Sequence, residues 1–157
     1  MLNVGLGATA LCAFTRAFLS VEQSPKAPVT LWHLATVLPL VFNYASRTAI
    51  SKRQLRSGLR STLSRDKDNN IGQNEMIFNL NQRMRMIYPR TARSFNCALS
   101  WGLLHVDDGA ILSGKGPLAS DFEGEAKEII KAAAKLGSWA GQLTSFEYFT
   151  VLGVEFY

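Results

Sequence analysis

The chain has 157 residues, of which 47% are hydrophobic and 18% charged, and its formal net charge is +5. This apolar content is enough to offset the entropy of the chain, so composition excludes a disordered protein and predicts a single folded domain over residues 1–157. Two cysteines and two histidines form neither a disulfide framework nor a zinc-ligand spacing, so we expect reduced thiols, no metal and no cofactor.

The positive charge is concentrated in the middle of the chain. Residues 47–93 contain eleven basic residues and three acidic ones, a net charge of +8, whereas the remainder contains six and nine, a net charge of −3. This division predicts that the protein binds a polyanion or an acidic protein surface.

Neither of the two longest apolar runs predicts a membrane segment. The first 20 residues lack a basic start and carry Arg16 within the apolar run, so we expect no export signal. The run from Val29 to Phe42 is too short to span a bilayer and contains His33 and Pro39. We therefore expect a cytoplasmic protein without a membrane partner.

In chain order, helical spacing of apolar residues begins at the N-terminus and predicts a first helix that ends near Ser20. A proline-containing loop follows, and Pro28 suits the first turn of a second helix. We expect this second helix to run from about Val29 to Tyr44, to be buried on nearly all sides, and to be kinked or interrupted at Pro39.

The stretch from residue 51 to residue 67 combines six basic residues with leucines at helical spacing. Ser51 and Gln54 match the S-x-x-Q capping box, which predicts a helix from Ser51 to about Ser64. In such a helix the leucines at positions 55, 59 and 63 would dock on the core beside an exposed basic arc. The candidate residues for binding nucleic acid or an acidic partner are Arg47, Lys52, Arg53, Arg56 and Arg60.

Three interpretations of this basic arc stay open. It is a solvated face without a partner, a face that binds phosphates, or a face that binds an acidic protein surface. The arc has no interleaved aromatic residues for base stacking and no obvious set of amides for reading base edges. Its composition therefore favours backbone contact over sequence reading if nucleic acid is the partner.

Farther along, a long helical region is predicted from about Gln73 to Leu103. Tyr88-Pro89 should split it, because proline disfavours helix at the preceding residue. The expected core face comprises Ile77, Leu80, Met84, Ile87, Ala92, Phe95, Leu99 and Leu103.

The last third of the chain predicts a β-hairpin and two helices. Asp107-Asp108-Gly109 lies between short apolar runs, a good signal for a tight turn. Capping boxes at Ser120–Glu123 and Thr144–Glu147 each start a helix, and Gly153 ends the second one. The predicted fold is mainly α, a helical domain with one β-hairpin, in a winged-helix-like order.

Residues able to support catalysis are few. Asp107 and Asp108 are adjacent, but neighbours at a hairpin tip usually point in different directions and serve the turn. His105 beside them adds little, and His33 in an apolar helix is typical of a satisfied core histidine. We therefore expect that the chain is not an enzyme.

Four stretches in a particular order resemble one known family, the middle component of three-component ABC systems. That family includes the small accessory subunit of Lamassu-type bacterial defence complexes. The resemblance covers nearly the whole chain, and it rests on the order and spacing of common motifs. These motifs are Val37–Phe42 with Arg47-Thr48, Gly102–Leu104 leading into Val106–Gly109, Ala132–Trp139, and Phe149–Val154.

The resemblance implies a non-catalytic accessory subunit of an antiviral defence complex. It would bridge or stabilise an SMC/Rad50-like coiled-coil ATPase and a nuclease-type effector, and double-stranded DNA would be a further partner, bound without sequence specificity. No functional site carries over from the family, and Asn43-Tyr44 departs from the residue expected there in many relatives.

A bridging subunit needs exposed aromatic anchors, and the chain offers seven candidates. Most aromatic residues at helical spacing pack inside a core, so Phe156 and Tyr157 are the preferred interface candidates. The seven are Trp101, Trp139, Phe146, Tyr148, Phe149, Phe156 and Tyr157.

The alternative function is a free-standing winged-helix transcriptional regulator. It would require a recognition helix with base-reading side chains, and usually a dimer with two half-sites.

Overall fold

A computed structural model describes residues 3–22, 28–59, 77 and 79–155. Within these ranges the chain is mainly helical with one two-stranded antiparallel hairpin, which confirms the predicted fold class. The winged-helix-like arrangement stays a prediction. The elements are α1 (Val4–Ser20), α2 (Leu31–Val41), α3 (Tyr44–Lys52), α4 (Leu80–Ser100), β1 (Leu104–Asp107), β2 (Ala110–Ser113), α5 (Gly124–Gly141) and α6 (Ser145–Leu152), with 3₁₀ turns at Leu55–Ser57 and Ala119–Asp121.

Helix α1 is the central element of the core. Asn3 caps its start by accepting a hydrogen bond from the Leu6 amide at 3.1 Å, and the helix ends at Ser20 as predicted. Most of its side chains from Gly7 to Thr15 are buried because α1 packs against both α4 and α5. One hydrophobic cluster collects residues from the six helices and both strands.

Glycines allow α1 to approach its two neighbours closely. A Cβ at Gly137 of α5 would collide with the carbonyl oxygen of Phe14, and a Cβ at Gly141 would lie 2.7 Å from the carbonyl oxygen of Phe18. On the other side of α1, a Cβ at Gly7 would collide with Ser94 of α4. The helix backbones therefore pack at distances that larger residues would not allow.

Helix α2 is shorter than predicted. Thr30 caps it, and its amide donates to His33 Nδ1 at 3.1 Å, so Pro28 and Val29 lie outside the helix. Val29 instead accepts a hydrogen bond from the Ile111 amide of β2 at 3.1 Å. The helix ends two residues after Pro39, and a new helix, α3, begins after the Asn43 cap. The predicted start at Pro28 and Val29 was therefore wrong, whereas the interruption expected at Pro39 is observed two residues later, between α2 and α3.

Helix α4 continues through Pro89, so the predicted split at Tyr88-Pro89 was wrong. Proline removes one backbone hydrogen bond, but the helix packs on α1 and α2 along its length, and these contacts override the local preference. The predicted core face is largely correct, since most of its members are buried or pack against the core. Leu80 and Leu103 are buried, and Ile77, Met84, Ile87, Phe95 and Leu99 are partly buried against the core.

The hairpin was predicted correctly. Asp108 and Gly109 form its two-residue turn with φ angles of 49° and 78°, and Asp107 pairs with Ala110. Two consecutive positive φ values are typical of a type I′ turn, for which Asp-Gly is a preferred pair. Leu104 and Ile111 direct the inner face of the hairpin into the core.

Of the two predicted capping boxes in the last third of the chain, one is present. Thr144 and Glu147 exchange two hydrogen bonds of 3.1 Å at the start of α6, and Gly153 ends that helix with a φ of 67°. Ser120 lies in a 3₁₀ turn instead, and α5 begins at Gly124 after Glu123. The predicted box at Ser120–Glu123 was therefore wrong.

A buried polar cluster joins α2 to α6. The Thr36 hydroxyl donates to the His33 carbonyl at 2.6 Å and lies 2.7 Å from the Tyr148 hydroxyl, and the His33 ring packs edge-on or tilted against Phe18, Tyr148 and Phe149. His33 is 1% exposed, and burial lowers the pKa of its imidazole to about 4. Its prediction as a satisfied core histidine is confirmed.

Within the ranges that the structure describes, no helix is both long enough and apolar enough to cross a bilayer.

Replacing Gly137 by alanine should lower the free energy of unfolding by about 1–3 kcal/mol, because the added methyl group forces α5 away from α1. Urea denaturation measures the change. Gly5→Ala is the control, since its Cβ would meet side-chain atoms rather than backbone, those of exposed Trp101 at 3.2 Å and of Asn3 at 3.3 Å. Equal stability of the Gly137 variant and the wild type would contradict the close approach.

The stability of the protein should fall as the pH drops below about 6.5. The unfolded state binds a proton at His33 near pH 6.5 and the folded state only near pH 4, so protonation favours unfolding throughout this window. We expect a loss of about 2 kcal/mol between pH 7 and pH 5 from this residue. Urea denaturation at both pH values should show a smaller loss in His33→Gln, and an equal loss would count against the lowered pKa.

Candidate functional site

The basic stretch begins differently from the predicted helix. Ser51 and Lys52 form the last turn of α3, Arg53 is extended with φ −93° and ψ 148°, and Leu55–Ser57 is a 3₁₀ turn. A helix that starts at a Ser51 cap was therefore wrong, because α3 is already capped upstream by Asn43. Its end near Ser64 lies outside the described residues.

The leucines of this stretch do not share one docking face. Leu59 is buried, but Leu55 is 52% exposed because it belongs to the 3₁₀ turn rather than to a continuous helix. Leu63 lies outside the described residues, and so does Arg60. The regular helical spacing on which the predicted basic arc depends therefore does not apply to residues 53–57.

Two side chains of α5 hold the backbone of this region. Lys135 Nζ donates to the carbonyl oxygens of Ile50, Ser51 and Arg53 at 3.2, 3.2 and 2.7 Å. The indole Nε1 of Trp139, one turn later, donates to the Leu55 carbonyl at 2.7 Å. Lys135 thus places a cation at the C-terminal end of α3, where carbonyl groups lack helical partners.

Burial lowers the pKa of the Lys135 ammonium. The nearby Glu128 carboxylate raises this pKa, and the nearby Lys131 ammonium lowers it further. The ammonium uses its donors on the backbone of the same chain. We call residues 52–56 the basic segment. We infer that Lys135 positions this segment rather than binding a partner itself.

Arg47 also acts within the fold. It is 7% exposed, donates to the Val41 carbonyl at 3.0 Å and to Glu125 Oε1 at 3.1 Å, and lies over the ring of exposed Tyr44. The ion pair with Glu125 and the hydrogen bond to Val41 join α3 to α5 and to the end of α2. Arg47 therefore differs from the exposed cations with which the sequence grouped it, because it is buried and bonded within the fold.

The other described candidates extend toward solvent. Lys52 and Arg56 are exposed and Arg53 is partly exposed, and none of these three forms an ion pair with a described carboxylate. Arg56 Nε donates to the Gln54 side chain at 2.7 Å. Their roles in binding stay predictions.

A shallow cleft of about 540 Å³ borders the basic segment. It lies between α3 and α5, and it contains both signs of charge. The lining residues are Tyr44, Arg47, Thr48, Ser51, Lys52, Glu125 and Glu128. The two carboxylates would oppose a continuous run of phosphates in the cleft itself, so any polyanion would contact the outer cations first.

Residues considered for catalysis lie apart from this cleft. Asp107, Asp108 and His105 are exposed on the hairpin, and the positive φ of Asp108 supports its role in the turn. In the described ranges no three or more His, Cys, Asp or Glu side chains are arranged to hold a metal ion. Cys12 and Cys97 are free cysteines. Cys12 is buried, which raises the pKa of its thiol, and Cys97 is half-buried. That the chain is not an enzyme stays a prediction.

The aromatic candidates divide between core and surface. Trp139, Tyr148 and Phe149 are buried, whereas Trp101 is 61% and Phe146 is 80% exposed. Phe156 and Tyr157 lie outside the described residues.

Sequence reasoning missed an apolar cleft between α2 and α4. Leu31 and Trp32 were assigned to a buried helix, yet they are 59% and 53% exposed and face Tyr88 of α4 across a cleft of about 570 Å³. The sequence signal that could have predicted their exposure was their position in the first turn of α2, because that turn lies at the protein surface. The cleft, which we call the α2–α4 cleft, is lined by Leu31, Trp32, Ala35, Asn81, Met84, Arg85, Tyr88 and Glu155.

The fold and these surfaces define a small, mainly helical protein whose exposed features are suited to binding other molecules. Comparison with known families matches residues 1–156 to Middle Component 3 of the ABC-three component (ABC-3C) system. The chain therefore belongs to this family, and it is a component of a multi-subunit system. No curated protein and no solved structure matches it.

Lys135→Met should lower the free energy of unfolding by about 1–3 kcal/mol, because three carbonyl groups lose a charged donor. Lys131→Met, at an exposed position one turn earlier on α5, should change stability by less than about 0.5 kcal/mol. Urea denaturation of the two variants gives the comparison. Equal effects would mean that Lys135 does not hold the end of α3.

Proposed function

We propose that this protein is a non-catalytic accessory subunit of a bacterial defence complex of the Lamassu type. In this role it bridges or stabilises an SMC/Rad50-like coiled-coil ATPase and a nuclease-type effector. The observation that carries the proposal is the family match over residues 1–156, because a middle component of a three-component ABC system acts together with other subunits.

Two surfaces of different chemistry support a bridging role. The basic segment carries exposed cations, whereas the α2–α4 cleft is lined mainly by apolar and aromatic side chains, and the two regions share no lining residue. A protein that joins two partners needs two such surfaces. The described part of the chain offers a candidate surface of each kind.

In this proposal the basic segment contacts double-stranded DNA through its phosphates. Lys52, Arg53 and Arg56 extend from a backbone that Lys135 and Trp139 hold in place, so little conformational entropy of the main chain is lost on binding. Gln54, the amide within the segment, accepts a hydrogen bond from Arg56. Contact without sequence specificity follows, since phosphates carry no sequence information directly.

The charge at the hairpin tip argues against a free-standing winged-helix regulator. A wing that contacts DNA meets phosphates, but the tip of this hairpin carries Asp107 and Asp108, both exposed. We therefore prefer the subunit to the regulator.

Co-expression with the products of the neighbouring genes, which we expect to be the ATPase and the effector, tests the proposal. We expect the three proteins to purify together as one complex, and we expect the isolated chain to give no sequence-specific footprint on DNA. A specific footprint together with failure to join either subunit would overturn the proposal and favour the regulator.

The triple variant Lys52→Gln, Arg53→Gln and Arg56→Gln tests the DNA contact. The assembled complex should still purify, but the slope of log affinity for DNA against log salt should fall by up to about 3, one unit for each lost phosphate contact. Lys115→Gln, an exposed cation in the loop after β2, is the control and should leave the slope unchanged. An unchanged slope in the triple variant would rule out this segment as the DNA contact, and loss of a subunit would show that it binds protein.

A further inference from the structure

Helix α4 exposes two arginines that have no partner in the described part of the chain. Its 21 residues include four arginines and no aspartate or glutamate. Arg83 donates to the Pro39 carbonyl at 2.8 Å and so is used inside the fold. Arg90 and Arg93, by contrast, are exposed, and neither forms an ion pair or a hydrogen bond with a described residue. Two exposed cations on a helix without carboxylates favour an anionic ligand.

Trp101, the residue that follows α4, lies on the same side of the helix as these two arginines. It keeps right-handed helical dihedral angles, with φ −87° and ψ −1°, so the helical spacing extends to it. On a spacing of about 100° per residue, Arg90 lies about 20° and Arg93 about 80° from Trp101 around the helix axis. Arg93 and Trp101 are separated by about 12 Å along that axis. The cations and the indole therefore follow one another along one side of α4.

The Trp101 side chain is held at one edge and is otherwise accessible. A Cβ at Gly5 would lie 3.2 Å from its Cη2 atom, so the missing side chain of Gly5 lets the indole pack on the start of α1. The residue is nevertheless 61% exposed. A rigid aromatic ring in this position is a platform on which a nucleic-acid base can stack.

A neutral cleft of about 450 Å³ lies beside the Trp101 ring. It is bordered by the starts of α1 and α5 and by the end of α4, and no charged residue lines it. The Asn3 side-chain oxygen accepts from the Leu6 amide, and the NH₂ group of Asn3 forms no hydrogen bond with a described residue. The cleft therefore combines apolar walls with a free amide donor, which suits a flat heterocyclic base. The lining residues are Asn3, Gly5, Leu6, Thr9, Trp101, Phe122 and Ala126.

We propose that this side of α4 binds an unpaired nucleic-acid strand. One base stacks on Trp101 beside the neutral cleft, and the phosphates of the strand contact Arg90 and Arg93. This site goes beyond the proposed function, in which the basic segment contacts duplex DNA. The basic segment has no aromatic residue for stacking, whereas cations and an accessible indole occur together on α4.

Two other anionic ligands fit this surface less well. The bases of duplex DNA are already stacked on one another, so a duplex would use the arginines and leave Trp101 without a partner. An acidic protein segment that filled the cleft would meet like charge, because the exposed Asp121 and Glu123 flank Phe122 in the chain. A base is neutral and enters the cleft without this repulsion.

Fluorescence anisotropy of the full chain with a labelled oligothymidylate tests the proposal. Trp101→Ala should weaken binding about tenfold or more, because it removes the stacking platform. Trp101→Phe keeps an aromatic ring and should retain most of the affinity. Trp32→Ala, which removes an exposed tryptophan in the α2–α4 cleft, is the matched control and should bind like the wild type. An oligouridylate of the same length shows whether DNA or RNA is preferred, and tighter binding of either supports the site.

An abasic strand of the same length separates stacking from charge. It should bind the wild type more weakly, and Trp101→Ala should cause no further loss, because no base remains to stack. An equal loss on both strands would overturn the proposal. Binding of a duplex as tightly as the single strand, or equal displacement of the strand by polyglutamate, would also overturn it.

The salt dependence of binding tests the arginines. The double variant Arg90→Gln and Arg93→Gln should lower the slope of log affinity against log salt by up to about 1.4, since each phosphate contact of a single strand contributes about 0.7. Lys115→Gln, in the loop after β2, should leave the slope unchanged. An unchanged slope in the double variant, with the melting temperature retained, would refute the contact.

These results can be separated from failure of the proposed function. The isolated chain is used, so its ability to join other subunits does not affect the outcome. The triple variant of the basic segment should keep the difference in affinity between the base-bearing and abasic strands, and loss of this difference would show that the stacking site is not on α4.

Discussion

The close approach of α1 to α5 is the contact on which the rest of the arrangement depends. Gly137 and Gly141 bring α5 against the backbone of α1 at Phe14 and Phe18, and this distance sets where the opposite side of α5 lies. On that side Lys135 and Trp139 reach the carbonyl groups of residues 50–55. The packing of two apolar helices thus determines the position of the basic segment.

The cations of the basic middle region serve two different purposes. Arg47 and Arg83 donate to carbonyl oxygens and side chains within the fold, and they join α3 and α4 to neighbouring helices. Lys52, Arg56 and Arg90 extend into solvent instead. A net charge counted along the sequence combines these groups, although only the exposed ones produce a field that a partner would meet.

Membership of the Middle Component 3 family agrees with a surface that offers two kinds of contact. The basic segment exposes cations, and the α2–α4 cleft exposes apolar and aromatic side chains. Since the two regions have no lining residue in common, one partner at each is compatible with the role of a subunit between two others.

The sequence by itself determined the features whose causes are local. The end of α1 near Ser20, the Asp108-Gly109 turn and the Thr144–Glu147 cap each depend on neighbouring residues, and each was predicted correctly. Tertiary structure decided the end of α3, the continuity of α4 through Pro89 and the exposure of Trp32. Lys135, 85 residues away from Ile50, donates to the carbonyl groups at the end of α3, and α4 packs on α1 and α2. Such long-range contacts outweigh local helix propensities, which are a few tenths to about one kcal/mol per residue, or about 3 kcal/mol for proline. They cannot be predicted from the residues next to each position, because the contacting residues are far apart in the chain.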